Sequence, residues 1–176
     1  ILGVSSNIGV SRIIDEKYAD NPTKFVEGLY RIGIGEPLNL EIPGYQPPII
    51  RYPNKQNWWK TTLAWMSIGY ETQIAPINTL AFYNAIANNG RMVKPRFVKA
   101  IMRDGEVIEE FPVEVLKESI CSSSALKKMQ DMLEGVVSKG LGKQAGSKQF
   151  HVSGKTGTAQ VAQGAGGYKS GAMQYL

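Results

Sequence analysis

Gly154-Lys155-Thr156-Gly157-Thr158 follows Phe150-His151-Val152-Ser153 and is the sharpest local feature of the chain. Read as extended backbone, it makes an edge that can hold an anion. Lys155 brings charge, the hydroxyls of Thr156 and Thr158 donate hydrogen bonds, and Gly157 lets a ligand approach the main chain closely. Such an edge suits a substrate that carries a carboxylate. By average residue usage, Lys-[Ser/Thr]-Gly arises by chance in roughly one chain in ten of this size, so the motif needs company. A phosphate loop is excluded, because Gln149 stands where that motif requires its first glycine.

Outward from this stretch, Phe150 to Gln163 reads as a strand, followed by a glycine-rich turn and a stub at Gln174 to Leu176. Before it, Leu126, Met129, Leu133 and Val136 recur at helical spacing, which predicts a helix over Ser124 to Lys139 stopped by Gly140. Asp104-Gly105 between Phe97–Met102 and Glu106–Ile108 predicts a hairpin with a type I′ turn. Pro76 opens a helix to about Asn88, with Ile77, Leu80, Ala81 and Ala85 as its apolar stripe and Gly90 beyond its end. Trp58, Trp59 and Trp65 bracket a short segment leading to Gly69. Glu36 to Asn57, rich in Pro, Asn and Tyr, reads as an ordered surface excursion. Asn21-Pro22 restarts a helix with Phe25, Leu29 and Ile32 buried, ended by Gly33 and Gly35. A first helix covers Ile8 to Glu16. The pattern is α+β, mostly helical, with strands gathered towards the end.

With 176 residues the chain is long enough for one sizeable core. Its net charge of +5 is spread over scattered lysines and arginines, which reads as a solvated surface and not as a nucleic-acid footprint. One cysteine, Cys121, and one histidine, His151, leave no disulfide framework, no thiolate or multi-histidine metal site, and no implied cofactor. No stretch approaches the roughly 18 to 20 apolar residues of a membrane span.

Near the start, Ser5-Ser6-Asn7 precedes the first helix and alone reads as a helix cap. Paired with Lys155-Thr156-Gly157 it gains meaning, because order and separation match the second and third signatures of serine acyl-transferases that recognise D-alanyl-D-alanine and β-lactams. The intervening text strengthens this. Gly69-Tyr70-Glu71-Thr72-Gln73-Ile74-Ala75-Pro76, continuing to Ala85-Ile86-Ala87-Asn88-Asn89-Gly90, resembles the helix region of class B penicillin-binding proteins. Leu133-Glu134-Gly135-Val136-Val137 with Gly140-Leu141-Gly142-Lys143 resembles the helix and turn before their Lys-Thr-Gly strand, and Gly33-Ile34-Gly35 and Pro43-Gly44 fall at similar places. The resemblance spans nearly the whole chain and is to the division-associated type.

That resemblance implies a penicillin-binding/serine β-lactamase-like fold, with residues 1–176 forming a partial transpeptidase domain: a helical lobe and an incomplete antiparallel sheet. It implies peptidoglycan stem peptides and β-lactams as ligands, cell-division or elongation proteins as partners of an intact parent, and the periplasmic face of the inner membrane as its place. Ser5 would relay a proton to the leaving nitrogen, Asn7 would hold the substrate amide, and Lys155 would keep the network protonated. Thr156 and Thr158 would bind the terminal carboxylate, with Gly157 between them and the Thr158 amide as half of an oxyanion hole. The nucleophile belongs to a Ser-x-x-Lys motif expected upstream of Ile1, so this chain alone is expected to be inactive. Ser124 to Lys127 fits that pattern by accident: about 0.7 such matches are expected per chain this size, and Ser124 reads as a cap. Alternatives are a serine β-lactamase and a penicillin-sensing domain without turnover. A sheet ending at Tyr175-Leu176 would leave an unpaired edge open to self-association. His151 reads as a partly buried strand residue, Cys121 as a buried small one, and Trp58-Trp59 fits equally a groove lining and a packed loop.

Overall fold

The computed structural model describes residues 1–54, 56–162 and 168–175. The backbone divides into two compact units, one of Asn7–Met129 and one of Ile1–Ser6 with Gln130 onward.

In the larger unit, α1 (Asn7–Tyr18) and α2 (Pro22–Arg31) come first. Pro22 sits at the start of α2, where its fixed φ suits the helix and its missing N–H would have had no partner. Val26 is fully buried and packs with Ile50 and Met66, while Phe25, Leu29, Tyr30 and Trp58 close around them. The stripe of α2 is therefore centred on Val26, between the expected Phe25 and Leu29. The short α3 (Thr62–Met66) lies against α1, where the Ser11 hydroxyl donates to the Ala64 carbonyl at 3.1 Å. The excursion between α2 and α3 is irregular apart from β1 (Ile49–Ile50), which pairs antiparallel with β2 (Thr72–Gln73) beside an Arg51–Glu71 ion pair at 2.8 Å.

Helix α4 (Pro76–Ala87) buries Asn78, Ala81, Ala85 and Ile86. Leu80, expected in the stripe, is 62% exposed. The helix is turned so that Asn78 faces inward, because its Nδ2 donates to the Glu36 carbonyl at 3.1 Å and so satisfies a loop that has no strand partner there. Beyond it, β3 (Met92–Val93) pairs with β6 (Val115–Lys117). Between them β4 (Ala100–Arg103) and β5 (Glu106–Glu110) form the expected hairpin, with Asp104 at φ 53° and Gly105 at φ 86° as a type I′ turn requires.

Helix α5 (Ser123–Ser138) starts in the larger unit and ends in the smaller one. The Ser122 hydroxyl accepts from the Ala125 amide at 3.3 Å, so Ser122 and not Ser124 caps it. In the smaller unit, Leu133, Val136 and Val137 are buried. Here the strand expected over Phe150–Gln163 is corrected: the strand β7 is Thr158–Ala162, and residues 150–157 are not in a strand. The Gly154 amide donates to the Leu133 carbonyl of α5 at 3.2 Å, which ties that backbone to a helix and withholds it from a ladder. The stub expected at Gln174 to Leu176 is also corrected, since a strand covers most of that end of the chain. β8 (Tyr168–Tyr175) pairs antiparallel with β7, Thr158 opposite Tyr175. Gln163, most of the glycine-rich turn and Leu176 lie outside the described residues. No helix among the described residues is long and apolar enough to cross a membrane.

Candidate active site

Leu2–Val4 make one 3-10 turn, and Ser5 closes it at φ 50°, ψ 44°. A residue with a Cβ in that left-handed region costs about 1–2 kcal/mol, so the conformation persists only where its surroundings impose it. They do so through hydrogen bonds. The Ser5 amide donates to Leu2 O at 3.0 Å, the Ser6 amide to Ile1 O at 3.2 Å, and from the turn after α5 the Leu141 amide donates to Gly3 O at 3.0 Å.

Lys155 follows Gly154, whose amide is tied to α5 as described. Its Nζ donates to Ser5 Oγ at 2.6 Å, across 150 positions of sequence, and to Thr156 O at 2.9 Å and Thr156 Oγ1 at 3.1 Å. All three N–H bonds of the ammonium are engaged. Burial pushes the Lys155 pKa below the usual lysine value of 10.5. The hydroxyl of Ser5 accepts from the ammonium and keeps its own proton for a further acceptor. A lysine that releases its proton more readily than usual, bonded to such a hydroxyl, is a pair through which a proton can pass.

Thus the structure joins Ser5, Lys155 and Thr156 directly. Gly157 continues the chain into β7, and Thr158 is the first residue of that strand, exposed on it. Asn7 is the first residue of α1, in the other unit, where it is exposed and lines an open groove of about 550 Å³ with Ile8, Ser11, Lys60, Thr61 and Trp65. Ser124 lies exposed in the first turn of α5.

His151 departs from the sequence reading. It is outside any strand, its side chain is 94% exposed, and its Nδ1 lies 3.2 Å from Glu134 Oε1. Residues 151–155 are not in a strand, so the partly buried strand setting expected for His151 does not exist. Cys121 is half-buried. Trp58 packs on the core, while Trp59 is 62% exposed. The participants that sequence reading missed are backbone groups: the Leu133 carbonyl, the Gly3 carbonyl and the Leu141 amide. The glycines at 3, 140 and 142 were the only trace of them.

A hydroxyl and an ammonium from two remote segments are thus held together where the chain enters β7. The family model described as the penicillin binding protein transpeptidase domain matches residues 1–175, and the chain belongs to that family. It is 33% identical over 168 residues to penicillin-binding protein PbpB of Mycobacterium tuberculosis, covering 91% of this chain and 24% of that protein. It is 31% identical over 163 residues to peptidoglycan D,D-transpeptidase FtsI of Buchnera aphidicola, covering 91% and 26% respectively. The crystal structure of penicillin binding protein 3 from Mycobacterium tuberculosis complexed with ampicillin superposes with a TM-score of 0.80 at 28% identity, over 99% of this chain and 39% of that one. The chain thus spans about a quarter of the length of these curated relatives.

Proposed function

We propose that residues 1–176 are part of a peptidoglycan D,D-transpeptidase, and that Ser5 and Lys155 form its proton-handling pair. The observation that carries this is the 2.6 Å bond from Lys155 Nζ to Ser5 Oγ, linking the two motifs the family resemblance had paired. In the reaction a serine hydroxyl gives its proton to the lysine of its own Ser-x-x-Lys segment, and its Oγ bonds to the penultimate D-alanine carbonyl carbon. The C–N bond to the terminal D-alanine breaks, and that nitrogen leaves with a proton delivered through Ser5. An amine of a second stem peptide then attacks the ester carbon, loses a proton and releases the serine. Thr156 and Thr158 bind the terminal carboxylate, Gly157 keeps the strand edge open to it, and Asn7 holds the substrate amide. β-Lactams enter the same path, with their ring C–N bond as the one that breaks.

The nucleophile in this proposal comes from a Ser-x-x-Lys segment outside residues 1–176, which form a partial transpeptidase domain. This proposal gives Ser124 no part, because it follows Ser5-Ser6-Asn7 in sequence, the reverse of the family's motif order. The parent works at the periplasmic face of the inner membrane with cell-division or elongation partners. Self-association through an open edge of the β7–β8 ribbon belongs to the same proposal, and concentration-independent monomers in light scattering would dismiss it.

The test is labelling of the full-length protein by a fluorescent penicillin. A stable, stoichiometric adduct is expected, on a serine outside residues 1–176, with its rate lowered about 10²- to 10⁴-fold in Ser5→Ala and Lys155→Ala. The 176-residue chain by itself should give none. Undiminished labelling in both variants would overturn the assignment. An adduct that hydrolyses within seconds would point to a β-lactamase instead.

A further inference from the structure

The hydroxyl of Ser5 can meet Lys155 only if the 3-10 turn before it is held in place, and the contacts that hold it come from one short stretch after α5. At Gly140 an added Cβ would lie 2.4 Å from Gly3 O, 3.0 Å from Gly3 Cα and 2.7 Å from Val136 O. These are backbone atoms, which cannot swing aside as the end of a side chain can. The next residue fixes the same carbonyl, since the Leu141 amide donates to Gly3 O at 3.0 Å. The stretch is itself anchored on α5: the Gly140 amide donates to Gly135 O and the Gly142 amide to Val136 O, both at 3.0 Å. Gly3 stands two residues before Ser5, whose left-handed backbone leaves it little freedom to compensate for a shift.

We propose that Gly140 is a positioning residue for acyl transfer: its missing side chain is the space into which the Gly3 carbonyl seats, and that seat, closed by the Leu141 amide, places Ser5 Oγ on Lys155. This rests on the reading of Ser5 and Lys155 as the proton-handling pair. The geometry also says where the effect is felt. A methyl at Gly140 pushes the Gly3 carbonyl off its seat and carries Ser5 away from Lys155. The segment that holds Lys155 itself is tied separately, through Gly154 to Leu133.

The experiment compares Gly140→Ala with Gly135→Ala, where an added Cβ meets nothing within 4 Å, in the full-length protein. Acylation by a fluorescent penicillin is resolved into the dissociation constant of the encounter complex and the rate constant of bond formation. Gly140→Ala should lower the rate constant about a hundredfold, the usual consequence of an ångström-scale misplacement, with the dissociation constant little changed. Gly135→Ala should change neither. Ser5→Ala serves as the reference: if it has no effect, the pairing itself has failed, whereas if it slows acylation and a folded Gly140→Ala does not, the positioning role alone is refuted. A loss confined to the dissociation constant would also refute it. Should Gly140→Ala not fold, amide exchange of the unsubstituted full-length protein decides. The Leu141 amide should exchange at least about tenfold more slowly than a free amide, and unprotected exchange there would overturn the proposal.

Discussion

Three glycine-to-alanine substitutions separate backbone strain from packing in the larger unit. Gly44 has φ +83° and open space where a Cβ would stand, so Gly44→Ala adds strain alone. Gly35 has no such φ, but its Cβ would lie 2.8 Å from Ile50 Cδ1 and 3.1 Å from Tyr30 Cδ1, so Gly35→Ala adds packing alone. Gly33 has both: φ +90°, with Met92 Sδ at 2.6 Å and Lys117 Cε at 3.3 Å from the added carbon. The lysine can swing away, but Met92 is 1% exposed and cannot. Left-handed strain costs about 1–2 kcal/mol, and an extra methyl in a filled core about 1–3 kcal/mol. Gly44→Ala should therefore destabilise by about 1–2 kcal/mol, Gly35→Ala by about 1–3 kcal/mol, and Gly33→Ala by about 2–5 kcal/mol. The gain from a stiffer unfolded chain is common to all three and drops out of the comparison. Urea unfolding at one pH, with the slopes compared to confirm a shared unfolded state, measures all of them. Equal losses at Gly33 and Gly44 would refute the packing of the loop on Met92.

Other outcomes follow from single contacts. Asn78→Ala removes the donor to the Glu36 carbonyl at a fully buried position and should cost about 1–3 kcal/mol in the same urea assay. His151→Ala, which deletes only an exposed contact to Glu134, should leave the urea midpoint where it was. Burial lowers the pKa of Lys155, so between that lowered value and 10.5 the unfolded chain binds more protons than the folded one, and stability from this group rises with pH across that window. The stability difference between the parent chain and Lys155→Met should accordingly move in favour of the parent as pH climbs through the window towards 10.5. A difference that stays flat would refute the burial of the ammonium.

The helices were legible because their ends carry local chemistry. Pro22, Pro76 and Gly140 mark boundaries through fixed φ, a missing donor or a missing Cβ, and none of these needs a tertiary partner to be read. The Asp104-Gly105 turn was legible for the same reason. Where the sequence misled, a long-range contact had overruled a local pattern. Leu80 fits an apolar stripe, but a loop carbonyl at Glu36 turns Asn78 inward in its place. Residues 150–157 look extended, but the Leu133 carbonyl of α5 captures the Gly154 amide, and the strand begins only at Thr158. Ser122 and Ser124 offer equal caps by type, and only geometry separates them. At the site, Ser5 and Lys155 could be paired by the order of two motifs, while the left-handed turn at Ser5 and the carbonyl beneath it had no local signature beyond scattered glycines.

On the proposed reading, acyl transfer depends on Lys155 and Ser5 acting as one unit, and a double-substitution cycle on the acylation rate of the full-length protein measures that dependence. Ser5→Ala, Lys155→Ala and the two together should show a coupling of at least about 1.5 kcal/mol, the double variant being scarcely slower than either single one. Losses that simply add would mean the two side chains contribute independently, and the bond between them would have no part in the chemistry.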